Sequence, residues 1–157
     1  MKRIAISILF TSLVITGCSK GGDAGGGGSK PAAVKLAKLG VELDLPGEVS
    51  PGDGLGDDSI MITGSDIGAM DVDLAKTPQS VEDAKSDANM FTPKNLKVDT
   101  LPDGYAITFD NKGDMGANFF VDVQRTIGGK AYKCATTTNT AERQAAVLAA
   151  CKTLRKG

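Results

Sequence analysis

The sequence predicts an α+β fold: an antiparallel sheet of about six strands with a middle helix and a C-terminal helix packed on one face, stapled by one disulfide. Three observations carry that expectation. Apolar and polar residues alternate through several short segments closed by Gly, Pro or Asp turns, as in half-buried antiparallel strands. Two stretches, around Val81–Phe91 and Val147–Leu154, switch to helical spacing. Cys134 and Cys151 fall on the apolar sides of a strand and of the last helix, so the two surfaces should face each other.

In chain order, Ala32–Leu39 reads as two turns of helix ended by Gly40, and Val41-Glu42-Leu43-Asp44-Leu45 as a strand closed by Pro46-Gly47. Glu48 to Asp58 is rich in Gly, Pro and Asp and is expected to be a long loop. Ile60-Met61-Ile62 and the run Met70, Val72, Leu74 are strands around a Gly-Ser-Asp turn. Thr77-Pro78 suits a helix start, threonine as N-cap and proline at the first helical position. Val81, Ala84, Ala88 and Phe91 form that helix's thin apolar stripe. Leu96-Val98-Thr100 and Tyr105-Ile107-Phe109 are strands joined at Pro102-Asp103-Gly104, and Asp110–Asp114 is another loop.

The last third is the most closely specified. Phe119, Val121 and Val123 alternate with polar neighbours up to Gly128-Gly129, a two-residue hairpin turn. Such a turn fixes the register: Ile127 opposite Lys130, Arg125 opposite Tyr132, Val123 opposite Cys134. Asn139 with Glu142 three residues on reads as a capping box, and Lys152, Arg155 and Lys156 suit the negative end of the final helix.

Ahead of all this, Lys2 and Arg3 precede an apolar run from Ile4 to Ile15, the layout of a secretory signal peptide and too short for a membrane span. Its end, Ile15-Thr16-Gly17-Cys18, resembles the lipobox of bacterial lipoproteins. The resemblance implies diacylation of the Cys18 thiol, cleavage after Gly17 and attachment to a membrane; the alternative is an ordinary signal with a chance cysteine at the cut. Three parts are expected: residues 1–17 as signal, 18–31 as the lipidated cysteine and a Gly-rich tether, and 32–157 as a single domain. The tether from Ser19 to Pro31 has nothing to bury and a reach of roughly 20 Å. The address is the cell envelope, and Ser19 after the cysteine favours the outer membrane if the source is Gram-negative.

With Cys18 assigned to lipid, Cys134 and Cys151 remain in an oxidising compartment. A disulfide is the expected pairing; two buried thiols or a metal site are the alternatives, the latter short of ligands in a chain with no histidine. The missing histidine also removes the commonest general base. Residues 1–17 hold two of the 18 basic residues and none of the 19 acidic ones, so the chain from Cys18 onward is negative by three. That excludes the basic field of a nucleic-acid binder.

Carboxylates are the remaining chemical candidates. Asp53, Asp57 and Asp58 crowd one loop and are weak candidates for Ca²⁺. Asp110, Lys112 and Asp114 have calcium-loop spacing but place a lysine where an oxygen is needed. Asp71 and Asp73 share one strand face and could meet a neighbour's carboxylate. No catalytic residue and no cofactor is expected.

The Leu-Pro-Gly segment after the first strand, the middle helix, the Gly-Gly hairpin, Tyr132-Lys133-Cys134 and Ala150-Cys151-Lys152-Thr153-Leu154 together resemble small bacterial lipoproteins with a PsbP-like sandwich, over about residues 36 to 155. That family includes an accessory photosystem subunit, and the resemblance implies a non-catalytic accessory role. The expected function is thus an anchored envelope lipoprotein that contacts an envelope protein partner. A small-ligand or ion-binding module, with the Glu48–Asp58 loop over a cavity, is the alternative.

Overall fold

Among the described residues, seven strands join edge to edge in one large sheet and three more form a smaller one. The computed structural model describes residues 30–113 and 116–157. The expected signal peptide, Cys18 and most of the tether lie outside the described residues, as do Asp114 and Met115. The elements are β1 (Ala32–Leu36), β2 (Val41–Leu45), β3 (Val49–Asp53), β4 (Ser59–Gly64), β5 (Gly68–Leu74), α1 (Val81–Asn89), β6 (Lys94–Leu101), β7 (Gly104–Gly113), β8 (Gly116–Ile127), β9 (Lys130–Thr138), α2 (Ala141–Lys152) and β10 (Arg155–Lys156). The large sheet has the order β3-β4-β5-β9-β8-β7-β6 and the small one β1-β2-β10, and every strand pairing among the described residues is antiparallel.

The large sheet has two unlike faces because successive side chains alternate. One face carries Ile60, Ile62, Met70, Val72, Val121, Val123 and Cys134, all buried in one core with Val147, Cys151 and Leu154 from the α2 region. Leu36, Val41, Leu43 and Leu45 of the small sheet enter the same core. This inner face is therefore covered by α2 and the small sheet together. Among the described residues, the opposite, outer face is covered only at one end. There α1 sets Ala84 and Ala88 on Tyr105, Ile107 and Phe109. Each helix takes its own face.

The Gly-Gly hairpin has the expected register, with Ile127 opposite Lys130, Arg125 opposite Tyr132 and Val123 opposite Cys134. Gly128 and Gly129 have φ of 59° and 78°, the left-handed pair that a two-residue turn of matching twist needs. Cys134 and Cys151 form the disulfide, Cα atoms 5.7 Å apart, and both are fully buried. It ties the middle of β9 to the last turn of α2.

Five local expectations are corrected. Ala32–Leu36 is a strand rather than helix, because pairing with all five residues of β2 outweighs the helical preference of so short a segment. Val49–Asp53, expected as loop, is an edge strand; Pro51 is tolerated there because no further strand needs its N–H. Strand β7 continues through the expected Asp110 loop to Gly113, paired residue by residue with β8. The N-cap of α1 is Ser80, whose Oγ accepts the Asp83 N–H, and not Thr77. Residues before it are held extended by Gln124, whose amide accepts the Gln79 N–H at 2.9 Å and donates to its carbonyl at 2.8 Å. The N-cap of α2 is Thr140, which accepts the Arg143 N–H, and the Asn139 side chain instead accepts from the Arg143 guanidinium.

Two hydrogen-bonding side chains, one buried and one half-buried, link the layers. Tyr132 donates its hydroxyl to the Leu39 carbonyl at 3.1 Å, and Gln144 of α2 donates to the carbonyls of Phe109 and Phe120. At the chain end, Arg155 bridges Glu42 and Asp44 of β2 at 2.8 and 2.9 Å, which fixes β10 to the small sheet.

Candidate functional site

The outer face beyond α1 is polar, and cross-strand register explains its contents. One row runs Asp71 (β5), Ala135 (β9), Asp122 (β8), Ile107 (β7); the next runs Asp73, Lys133, Gln124, Tyr105. Asp71 and Asp122 thus stand on either side of a small alanine, leaving a dip in the sheet. This hollow, of about 250 Å³, has Phe109 and Phe120 at one end. A second hollow of about 530 Å³ lies between the sheet and the segment leading into α1, lined by Asp73, Gln79, Asp83, Gln124 and Lys133 among others.

The charges are unequal. Lys133 Nζ pairs with Asp122 Oδ2 at 2.9 Å, while Asp122 Oδ1 is buried with no hydrogen-bond partner among the described residues. Burial, and then the neighbouring Asp73 charge, raise the Asp71 pKa above its usual value. Tyr105 is pushed up to about 12, by burial first and then by Asp122, Asp87 and Asp83. Burial leads both shifts and the neighbouring carboxylates add to it, so the area disfavours further negative charge. The arrangement suits a cationic or hydrogen-bond-donating group.

Beside this polar area the surface turns apolar. Phe109 and Phe120 stack with ring centroids 4.4 Å apart, and Phe91 leans on both at 6.1 and 5.4 Å. Phe91 lies past the end of α1 and is 50% exposed, its neighbour Met90 75%. Together they carry the aromatic cluster out to solvent.

The sequence-derived candidates fall in different places. Cys18 lies outside the described residues. Asp53 is in β3 and pairs with Lys38 at 3.2 Å, next to a hollow that also contains Lys35; Asp58 is 3.9 Å from Lys76, and Asp57 is exposed. Cations thus accompany two of the three. Among the described residues, no three Asp, Glu or Cys side chains are grouped as a metal would require. Asp110 accepts from Asn95 at 2.8 Å. Asp71 shares its hollow with a neighbour's carboxylate, Asp122, whereas Asp73 stands opposite Lys133. Sequence reasoning missed Asp122, Lys133 and Met90 as surface-defining residues. The Gly-Gly register already placed Asp122 and Lys133 on one face, but the pairing of β5 with β9 had no local signal.

No family model and no curated protein matches the chain. Among solved structures it is similar to a Bacteroides thetaiotaomicron VPI-5482 protein determined at 1.50 Å, with a TM-score of 0.54 and 9% identity. The likeness covers 82% of this chain and 48% of the other, so the chain spans about half the length of that neighbour. It is a likeness of fold alone.

Proposed function

We propose that the chain is an envelope lipoprotein, anchored through Cys18, whose folded domain is a non-catalytic accessory module that contacts a protein partner. The observation that carries this reading is the exposed pair Met90 and Phe91, an apolar projection continuous with the Phe109–Phe120 stack. It stands on the outer face, whereas the described chain enters through β1 in the layer on the other side of the sheet. A lipid at Cys18 would leave that face free to meet a partner. The PsbP-like accessory role belongs to the same proposal.

The test is site-specific photocrosslinking in cells. A photoreactive residue at Met90 should give a discrete adduct heavier than the chain and different from twice its mass. The same residue at Glu142, exposed on α2, should give none. Equal labelling at both sites, or none at Met90, would refute the partner reading.

A second reading is a site for a small cationic ligand, favoured by the hollow between Asp71 and Asp122 with its aromatic end. It requires that a simple diamine at about 10 mM raise the melting temperature, as ligand linkage demands, and that Asp122→Asn abolish the rise.

A further inference from the structure

The seven-stranded sheet ends in two edges of opposite character. At one, β3 carries Pro51 and Gly52, which interrupt any added strand. At the other, β6 pairs only with β7 among the described residues, and most of its side chains are exposed. It reads Lys94-Asn95-Leu96-Lys97-Val98-Asp99-Thr100-Leu101.

The hydrogen-bonding phase of this edge follows from its turn. Leu101 and Gly104 close a two-residue connection, so they form a doubly bonded pair, and bonding alternates from there. Lys97 and Asp99 accordingly turn their backbone groups toward β7. Val98 and Thr100 turn theirs to the open edge, and the register shift between Lys94 and Lys97 ends the regular alternation at Leu96.

We propose that β6 pairs antiparallel with β6 of a second copy, about a two-fold axis through Val98, to give one continuous sheet. In that register Val98 meets Val98 as a doubly bonded pair, and Leu96 meets Thr100 on both sides of it. The charges agree with the phase: Lys97 of each copy lies opposite Asp99 of the other, twice, on the inner-face side, where Asp99 also holds Lys152 of its own chain at 2.7 Å. Shifting the register by one or two residues breaks this match. Strand β1, the free edge of the small sheet, lacks the property, since its one charged residue is Lys35.

Sterics also permit the pairing. Helix α1 packs over β7, one strand in from the edge. The two α1 helices would be separated by three strand spacings, about 14 Å, wider than the roughly 8–10 Å at which helices collide. Val98, 38% exposed on the outer face, would be covered by its own counterpart. The contact is small, so the association is weak and belongs to high local concentration.

Sedimentation equilibrium of the full-length chain in density-matched detergent tests this at about 100 μM. Wild type should show a monomer–dimer equilibrium. Lys97→Glu and Asp99→Lys each set like charges opposite each other twice, and each should weaken dimerisation about tenfold or more. An equimolar mixture of the two variants restores both ion pairs in a mixed dimer and should recover wild-type association. Val98→Pro removes an N–H aimed at the partner and none bonded to β7, so it should abolish the dimer with the melting temperature little changed. A monomeric wild type at that concentration overturns the proposal. A mixture no tighter than either variant alone overturns it too.

Discussion

Replacing Cys151 with alanine removes the bridge that holds α2 to β9. The cross-link spans a sequence separation of 17 residues. The chain-entropy relation gives a loop of that size about 3 kcal/mol of stabilisation at 25 °C, acting through the unfolded state. For a fold of about 130 residues the unfolding entropy near the midpoint is about 0.27 kcal/mol per kelvin, so the loss corresponds to a fall of about 10 °C in melting temperature. Both sulfurs are fully buried, so the alanine variant also loses packing around position 151. Thermal melting by circular dichroism should be run on oxidised wild type, wild type in reductant, and Cys151→Ala. Reduced wild type should fall most of the way to the variant, and the remaining gap measures the packing term. Equal melting of oxidised wild type and Cys151→Ala would refute the staple. A large fall in the variant with none on reduction would assign the effect to packing instead.

Two further outcomes test the outer face. Phe109→Ala empties the centre of the aromatic cluster, where Phe109 is 5% exposed, and should cost about 3–5 kcal/mol in urea unfolding; a loss under about 1 kcal/mol would show that the cluster is not a second core. Asp71→Asn should stabilise the fold at neutral pH. The folded state raises the Asp71 pKa, so the wild-type carboxyl favours the fold most when protonated, below its unfolded pKa, and loses that advantage as pH rises through the folded value. The melting gain of the variant should therefore hold while the pH stays above the folded value and shrink as it falls from there toward the unfolded one, and a gain that does not depend on pH would contradict the raised Asp71 pKa.

Features governed by neighbours in sequence were legible, and those governed by distant pairing were not. Gly128-Gly129 fixed its own register, and that register put Cys134 on the covered face opposite the Cys151 side of α2. Pro102-Asp103 joined β6 and β7 in the same way. Here Gly104 has a further reason to be glycine, because a Cβ would run into the Gln124 carbonyl. Ala-Ala-Val-Lys-Leu, by contrast, has no intrinsic strand preference and becomes β1 only because β2 offers it a partner. The stretch containing Pro51 and Gly52 looked like loop because an edge strand can keep residues that a central strand cannot. Thr77 lost the cap to Ser80 because Gln124, far along the chain, holds Gln79 extended. The hollow on the outer face was half legible. Asp122 and Lys133 followed from the hairpin, but Asp71 and Asp73 reached them through a pairing that only the finished fold specifies.

That pairing divides the large sheet by origin. Strands β3 to β5 form one local meander and β6 to β9 another, and they meet only where β5 lies on β9. Asp71 and Ala135, opposite each other there, are about 64 residues apart in the chain, and closing so long a loop carries its entropic cost before the seam returns any contacts. The disulfide lies wholly on one side of the division, between β9 and the helix that follows it. Oxidation therefore needs nothing from the first meander. The covalent bond can complete the C-terminal half while β9 still has a vacant edge, leaving β5 to dock onto a surface already made rigid.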